Sequence, residues 1–178
     1  METVNPQQLA REAQAEYTKG QYLSAAMLFK AAADGFSASG DELGAAEMAN
    51  NCSVAYLKAG NAELALQAVG ETDQFFASKG DVKRQAMALG NQAASLEKLH
   101  QLDEAMSKYE KSSRLLREAG EFDLRAYVLQ SLSALQLRRG RYLEAYATMR
   151  IGVMGVKKRN LQQKLLNALM DLPFKFLR

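Results

Sequence analysis

Alanine recurs in this chain at one fixed interval. Ala25, Ala65, Ala105 and Ala145 stand forty residues apart, each five residues after a turn-forming residue (Gly20, Gly60, His100 and Gly140). The segments between align as Gln21-Tyr22-Leu23-Ser24, Asn61-Ala62-Glu63-Leu64, Gln101-Leu102-Asp103-Glu104 and Arg141-Tyr142-Leu143-Glu144. A second set of breaks, Gly40-Asp41, Gly80-Asp81 and Gly120-Glu121, falls midway between them. A fixed period of this length is the signature of a stacked array, in which one supersecondary unit cannot bury its apolar face alone and packs on its neighbours. That constraint outranks the ordinary expectation of one or two compact cores for 178 residues.

The unit is helical. The chain has two prolines and no tryptophan, and is rich in Ala, Leu, Glu, Gln and Lys, all good helix formers. No run of Val, Ile and Thr reads as a strand. Glycine every twenty residues ends a helix by taking the left-handed conformation at little steric cost. The acid after it favours the next N-terminus. Asn5-Pro6 opens the first helix, which runs to about Lys19. The next spans roughly 21–39, and the later ones are expected at about 41–59, 61–78, 81–99, 101–118, 121–139 and 141–157. The first helix of each pair is called A and the second B.

Columns forty residues apart show how the pairs pack. One site in the A helices holds Ala13, Ser53, Ala93 and Ser133, all small. Four residues beyond each B-helix alanine stand Phe29, Val69, Tyr109 and Met149, and three further on Ala32, Thr72, Ser112 and Gly152. Small and large residues at i, i+4 and i+7 form one stripe, where the small sites let backbones approach and the large ones fill the gap.

These residues resemble the tetratricopeptide repeat (TPR). The likeness covers about residues 6–158 in four copies. It is nearest the long-repeat type of the kinesin light chain, the Pins-type adaptors and the bacterial Rap regulators, since the common unit is shorter than forty residues. The family's Trp and its proline after helix B are missing, and Glu16 and Gln136 stand where an aromatic is usual. The resemblance implies an all-α fold: a right-handed α-α superhelix, a solenoid of four helix-turn-helix repeats at about 1–40, 41–80, 81–120 and 121–160. The segment 161–178 then supplies a C-terminal capping helix and tail to a single domain spanning 1–178.

In such arrays the A helices line the concave face. The resemblance therefore implies a groove holding Arg11, Asn50, Asn51, Asn91, Gln130 and Ser131. Gln14, Val54, Ala94 and Ala134 follow one turn on, with Lys58, Lys98 and Arg138 near the rim. Asn51 and Asn91 share a column. A carboxamide both donates and accepts, so an asparagine column suits the backbone of an extended peptide. It equally suits tying one helix to the next. The basic rim favours acidic side chains or a terminal carboxylate.

Little points to catalysis. His100 is the one histidine and sits at a turn, and Cys52 is the one cysteine; together they cannot build a His/Cys metal cluster. Cys52 reads as apolar core filler rather than a redox sensor. No Gly-rich phosphate loop occurs. No cofactor or metal is expected, and the chain is not expected to be an enzyme. The expectation is a non-catalytic scaffold or adaptor that binds a protein or peptide partner, acidic in character.

Charge supplies the alternative. The net charge is +3, but residues 138–178 hold ten Lys and Arg against Glu144 and Asp171, a local +8 that leaves −5 on the first 137 residues. Such asymmetry suits nucleic acid or an acidic membrane surface. Nucleic acid is disfavoured because aromatic residues are not interleaved with the basic ones. The stretch Leu161, Leu165, Leu166, Leu169 and Leu172 is amphipathic. It reads as the solenoid's cap, as a membrane or partner anchor, or as a homodimer contact. A regulatory sensor segment, in which a ligand changes the superhelical pitch, is a further alternative. The polar, acidic start is no secretory signal, and no apolar run approaches the roughly 18–20 residues of a transmembrane segment; a cytoplasmic location is expected.

Overall fold

A computed structural model describes residues 5–155. The capping, anchoring and dimer roles considered for 161–178 lie outside the described residues. The helices are α1 (Pro6–Thr18), α2 (Tyr22–Ala38), α3 (Glu42–Lys58), α4 (Ala62–Val69), α5 (Thr72–Ser78), α6 (Val82–Lys98), α7 (Leu102–Glu118), α8 (Phe122–Arg138) and α9 (Tyr142–Gly155). The A helices are α1, α3, α6 and α8. The B helices are α2, the α4–α5 pair, α7 and α9. Each A helix packs on the B helices before and after it in the chain, so the fold is an all-α solenoid of helix pairs.

The ends of the helices follow from local chemistry. Asn5 Oδ1 accepts from the Gln7 N–H at 2.9 Å, and Pro6 fills the first helical position. Asp41 and Asp81 accept from the N–H groups of Gly44 (2.8 Å) and Arg84 (2.9 Å), satisfying donors that a helix start leaves open. The Arg84 N–H bond holds the Asp81 carboxyl below its usual pKa range. Glu121, one methylene longer, makes no cap bond and reaches Lys83 Nζ instead, at 2.7 Å. Six of the turns between helices place glycine at φ between 71° and 85°. The seventh places His100 there, at φ 61°.

The alanine ring is the centre of the packing: Ala25, Ala65, Ala105 and Ala145 are fully buried. Ala13, Ser53, Ala93 and Ser133 face them, also buried. Repeats 1 and 2 share a cluster built on Phe29, Cys52 and Tyr56. Repeats 3 and 4 share one built on Leu96, Tyr109, Leu129, Leu132 and Leu135. Between these lies a smaller cluster of Ala46, Val69, Phe76 and Ala88.

One expected element is different. A single helix over 61–78 is expected from the sequence; instead the second B helix is broken at Gly70 and Glu71, giving α4 and α5. Gly70 stands where the first and third repeats carry Lys30 and Glu110. Its φ of 39° and ψ of −127° suit only a residue without Cβ. Gln74 N–H bonds to Glu71 O at 2.9 Å, so the Gly70 carbonyl has no helical partner. A side chain from the next repeat takes its place: Gln92 Nε2 donates to Gly70 O at 2.6 Å. No residue is inserted or lost, so the forty-residue register continues past the break.

Candidate inner face of the A helices

Adjacent A helices touch, α3 with α6 and α6 with α8, whereas successive B helices do not meet to that extent. This closer row of A helices is the candidate inner face of the stack. Three polar rungs join them. Arg84 pairs with Glu47. Asn91 Nδ2 donates to Asn50 Oδ1 at 3.2 Å, and Asn50 Nδ2 donates to Ala46 O. Arg138 pairs with Glu97.

The sequence-derived set divides on this face. Asn50 and Asn91 are half-buried and bonded to each other. Asn51, in the same column as Asn91, is exposed. Two of the three rungs join residues 41 apart rather than forty, so the inter-repeat neighbour of Asn91 is Asn50. Arg138 is held by Glu97, whose other oxygen accepts from the Tyr109 hydroxyl at 3.0 Å. Burial first, then the adjacent Glu97 charge, drives the Tyr109 phenol above its ordinary value. Ser131 is half-buried beside it, while Arg11 and Gln130 are exposed. Lys58 and Lys98 are also exposed, and neither takes part in an ion pair among the described residues. The carboxamides of Asn51 and Gln130 and these two lysines are exposed. Asn50, Asn91 and Arg138 each bond to a neighbouring A helix.

Two residues on this face escaped sequence reasoning. Met87 and Tyr127 share a column one turn before Asn91 and Ser131, and they are 43% and 70% exposed. The third member of the column, Glu47, is tied to Arg84. The signal was present in the period: the column four residues before the asparagines turns from charged to large and apolar in repeats 3 and 4. Beyond the polar band, Val54 and Ala94 are half-buried and Ala134 is exposed. The candidate inner face thus runs from apolar, through carboxamide, to small apolar, to basic.

Elsewhere the chemistry is sparse. Cys52 is buried, its Sγ donating to Ala26 O at 3.3 Å, and burial pushes the thiol up to about 11. Among the described residues no group of His, Cys, Asp and Glu has the arrangement of a metal site, and no helix is long and apolar enough to cross a membrane. Three arginines of the basic C-terminal region are neutralised: Arg138 by Glu97, Arg139 by Asp103 and Arg141 by Glu144.

No protein-family model matches the sequence, and no curated protein matches it significantly. Solved structures do. A crystal structure of nearly identical TPR-like repeats, from a Podosopora anserina protein described as a kinesin light chain, superposes with a TM-score of 0.74 at 15% identity. The match covers 97% of this chain and 88% of that one. A point-substituted form of the same repeats gives 0.74 at 14% identity, over 93% of this chain and 84% of that one. At such identities the likeness is one of fold, and in fold this chain is a TPR-like helical-repeat protein.

Proposed function

We propose that the chain is a non-catalytic scaffold that binds an extended peptide segment of a partner protein along the inner face of α3, α6 and α8. The observation that carries this is the exposure of Met87 and Tyr127 beside open carboxamides on a face otherwise tied up in inter-repeat bonds. Burying two such side chains is worth roughly 1.5–3 kcal/mol each. A neutral hydrogen bond from Asn51 or Gln130 adds only about 0.5–1.5 kcal/mol net. Affinity therefore comes from apolar anchors, and the carboxamides set the direction of the peptide backbone. Lys58 and Lys98 favour acidic residues where the peptide leaves the groove. Binding of a polyanion through the basic end draws less support, because Arg138, Arg139 and Arg141 are already paired with acids.

The test is affinity capture from native lysate with wild type beside Tyr127→Ala and Asn51→Ala variants, followed by binding of synthetic peptides from the captured protein. Both side chains are exposed, so helicity and Tm remain those of wild type. Tyr127→Ala is expected to weaken peptide binding about tenfold or more, the equivalent of losing one buried anchor, and Asn51→Ala by less. Undiminished binding by both folded variants rules out the inner face.

A further inference from the structure

We propose that the break at Gly70 is a two-state hinge, held in its kinked state by the side chain of Gln92. The span from Ala62 to Ser78 matches the 17 residues of the unbroken helices α2 and α7, so a straight helix fits the same endpoints and the same register. What the kink costs is visible in the backbone. The N–H groups of Glu71, Thr72 and Asp73 reach no backbone carbonyl across the break, although a straight helix supplies one to each. The same break frees the carbonyls of Val69 and Gly70, and two side chains, Thr72 and Gln92, cover these. Gln92 Nε2 donates to Gly70 O at 2.6 Å and to Asp73 Oδ1 at 2.8 Å, and Thr72 Oγ1 donates to Val69 O at 2.8 Å. Gln92 Oε1 accepts from Lys108 Nζ at 3.0 Å. One buried amide thus joins the end of α4, the start of α5 and, through Lys108, α7.

Gln92 is the one polar residue among the buried members of its column, whose first member, Glu12, is exposed. The same site is Cys52 in repeat 2 and Leu132 in repeat 4, both buried and apolar. Neither can satisfy a freed carbonyl and a buried carboxylate. Position 70 is odd in the matching way, a glycine where Lys30 and Glu110 stand in unbroken helices. The two exceptions occur together and touch. A buried polar group left without a partner is costly, so removing Gln92 destabilises the kinked state and leaves the straight one, in which the backbone satisfies itself. The hinge is placed to alter the groove, because Asn91, next to Gln92 on α6, carries the bond to Asn50 on α3. Straightening the second B helix therefore shifts how α6 leans on α3, whatever the groove binds.

Amide hydrogen exchange, read residue by residue by NMR, tests this. Gly70→Ala is the clean variant, since position 70 is exposed and an added Cβ meets only Gln67 O at 3.4 Å, while its kinked φ is strained for alanine. Exchange at Glu71, Thr72 and Asp73 is expected to slow by about tenfold or more in Gly70→Ala as these amides enter a continuous helix, and to slow likewise in Gln92→Leu. Lys108→Met, which removes only the outer bond to Gln92, leaves it within about threefold of wild type. Exchange as fast as wild type in a folded Gly70→Ala overturns the hinge, and that variant decides alone if Gln92→Leu does not fold. Slowing in Lys108→Met equal to that in Gln92→Leu overturns the assignment of the latch to Gln92.

Discussion

Between Ala62 and Ser78 the second repeat has two short helices; between Leu102 and Glu118 the third has one. Both carry the buried alanine five residues after the turn, and both end in a buried large residue, Phe76 or Leu116. The differences lie between those fixed points. Repeat 2 has Val69 where repeat 3 has Tyr109, and Gly70 where repeat 3 has Glu110. Its core cluster is the smaller, and Gln92 fills part of the interface with hydrogen bonds instead of carbon. A repeat period therefore reports which residues stack from one unit to the next. It does not report whether the backbone between them is continuous, because a break that conserves residue number leaves every column in place.

The largest effect that probes this contrast comes from the alanine ring itself. Ala65 and Ala105 are both fully buried against the preceding A helix, so leucine at either site overpacks, at a cost of about 1–3 kcal/mol. The two sites are not equivalent. Ala105 sits in a 17-residue helix that moves as one body, whereas Ala65 sits in the eight-residue α4, which can shift without dragging α5. Ala105→Leu is expected near the upper end of that range and Ala65→Leu near the lower end, measured by urea unfolding. Equal losses would show that the break gives α4 no independence, and unchanged Tm in both would mean that the alanine register is misassigned.

That register was legible in the sequence because it rests on residue types with one physical role each. Glycine marks the turns, alanine marks close approach, and the alternation of Phe29, Val69 and Tyr109 with Ala32, Thr72 and Ser112 marks the stripe. The break was not legible. An isolated glycine in a helical run is ordinarily tolerated at about 1 kcal/mol, and only the meeting of Gly70 with Gln92, 22 residues on, makes the kink tolerable. The neighbours across the A-helix row were not legible in detail. Its columns follow the period of forty, whereas the Asn50–Asn91 and Glu97–Arg138 rungs follow 41, an offset set by how one A helix lies on the next. Whether a carboxamide faces solvent or a neighbour is decided by that offset.

The turns give the same contrast on a smaller scale. Gly60 opens α4 at φ 85°, and His100 opens α7 at φ 61°. Left-handed backbone costs a residue with Cβ roughly 1–2 kcal/mol, and replacing it by glycine loosens the unfolded chain by roughly 0.4–1 kcal/mol. His100→Gly is therefore expected to raise stability by about 0.5–1 kcal/mol, the difference of those two terms. Gly60→His should lower it by a similar amount. Thermal unfolding of the two variants beside wild type checks the sign. A loss in His100→Gly would mean that the imidazole makes a stabilising contact at the turn.

The smallest effect contrasts Cys52 with Gln92, the same column in repeats 2 and 3. Burial raises the Cys52 thiol from 9.0 to about 11, and its Sγ donates to Ala26 O, a bond that only the protonated form makes. The folded chain thus keeps a proton that the unfolded chain gives up once the pH passes about 9. The sign follows: this contribution is fully present below pH 9 and is lost as pH rises toward 11. Tyr109 acts in the same direction, beginning higher because its ordinary value is 10.0. Urea unfolding of wild type, Cys52→Ala and Tyr109→Phe across this alkaline range separates the two. The cavity left by Cys52→Ala lowers stability by a constant, so the informative quantity is slope. A shallower alkaline decline in Cys52→Ala than in wild type is expected, with Tyr109→Phe departing from wild type only at higher pH. Parallel curves for Cys52→Ala and wild type would show that the thiol ionises as readily in the folded chain as in the unfolded one. The column would then be less dry in repeat 2 than the hydrogen-bonded Gln92 makes it in repeat 3.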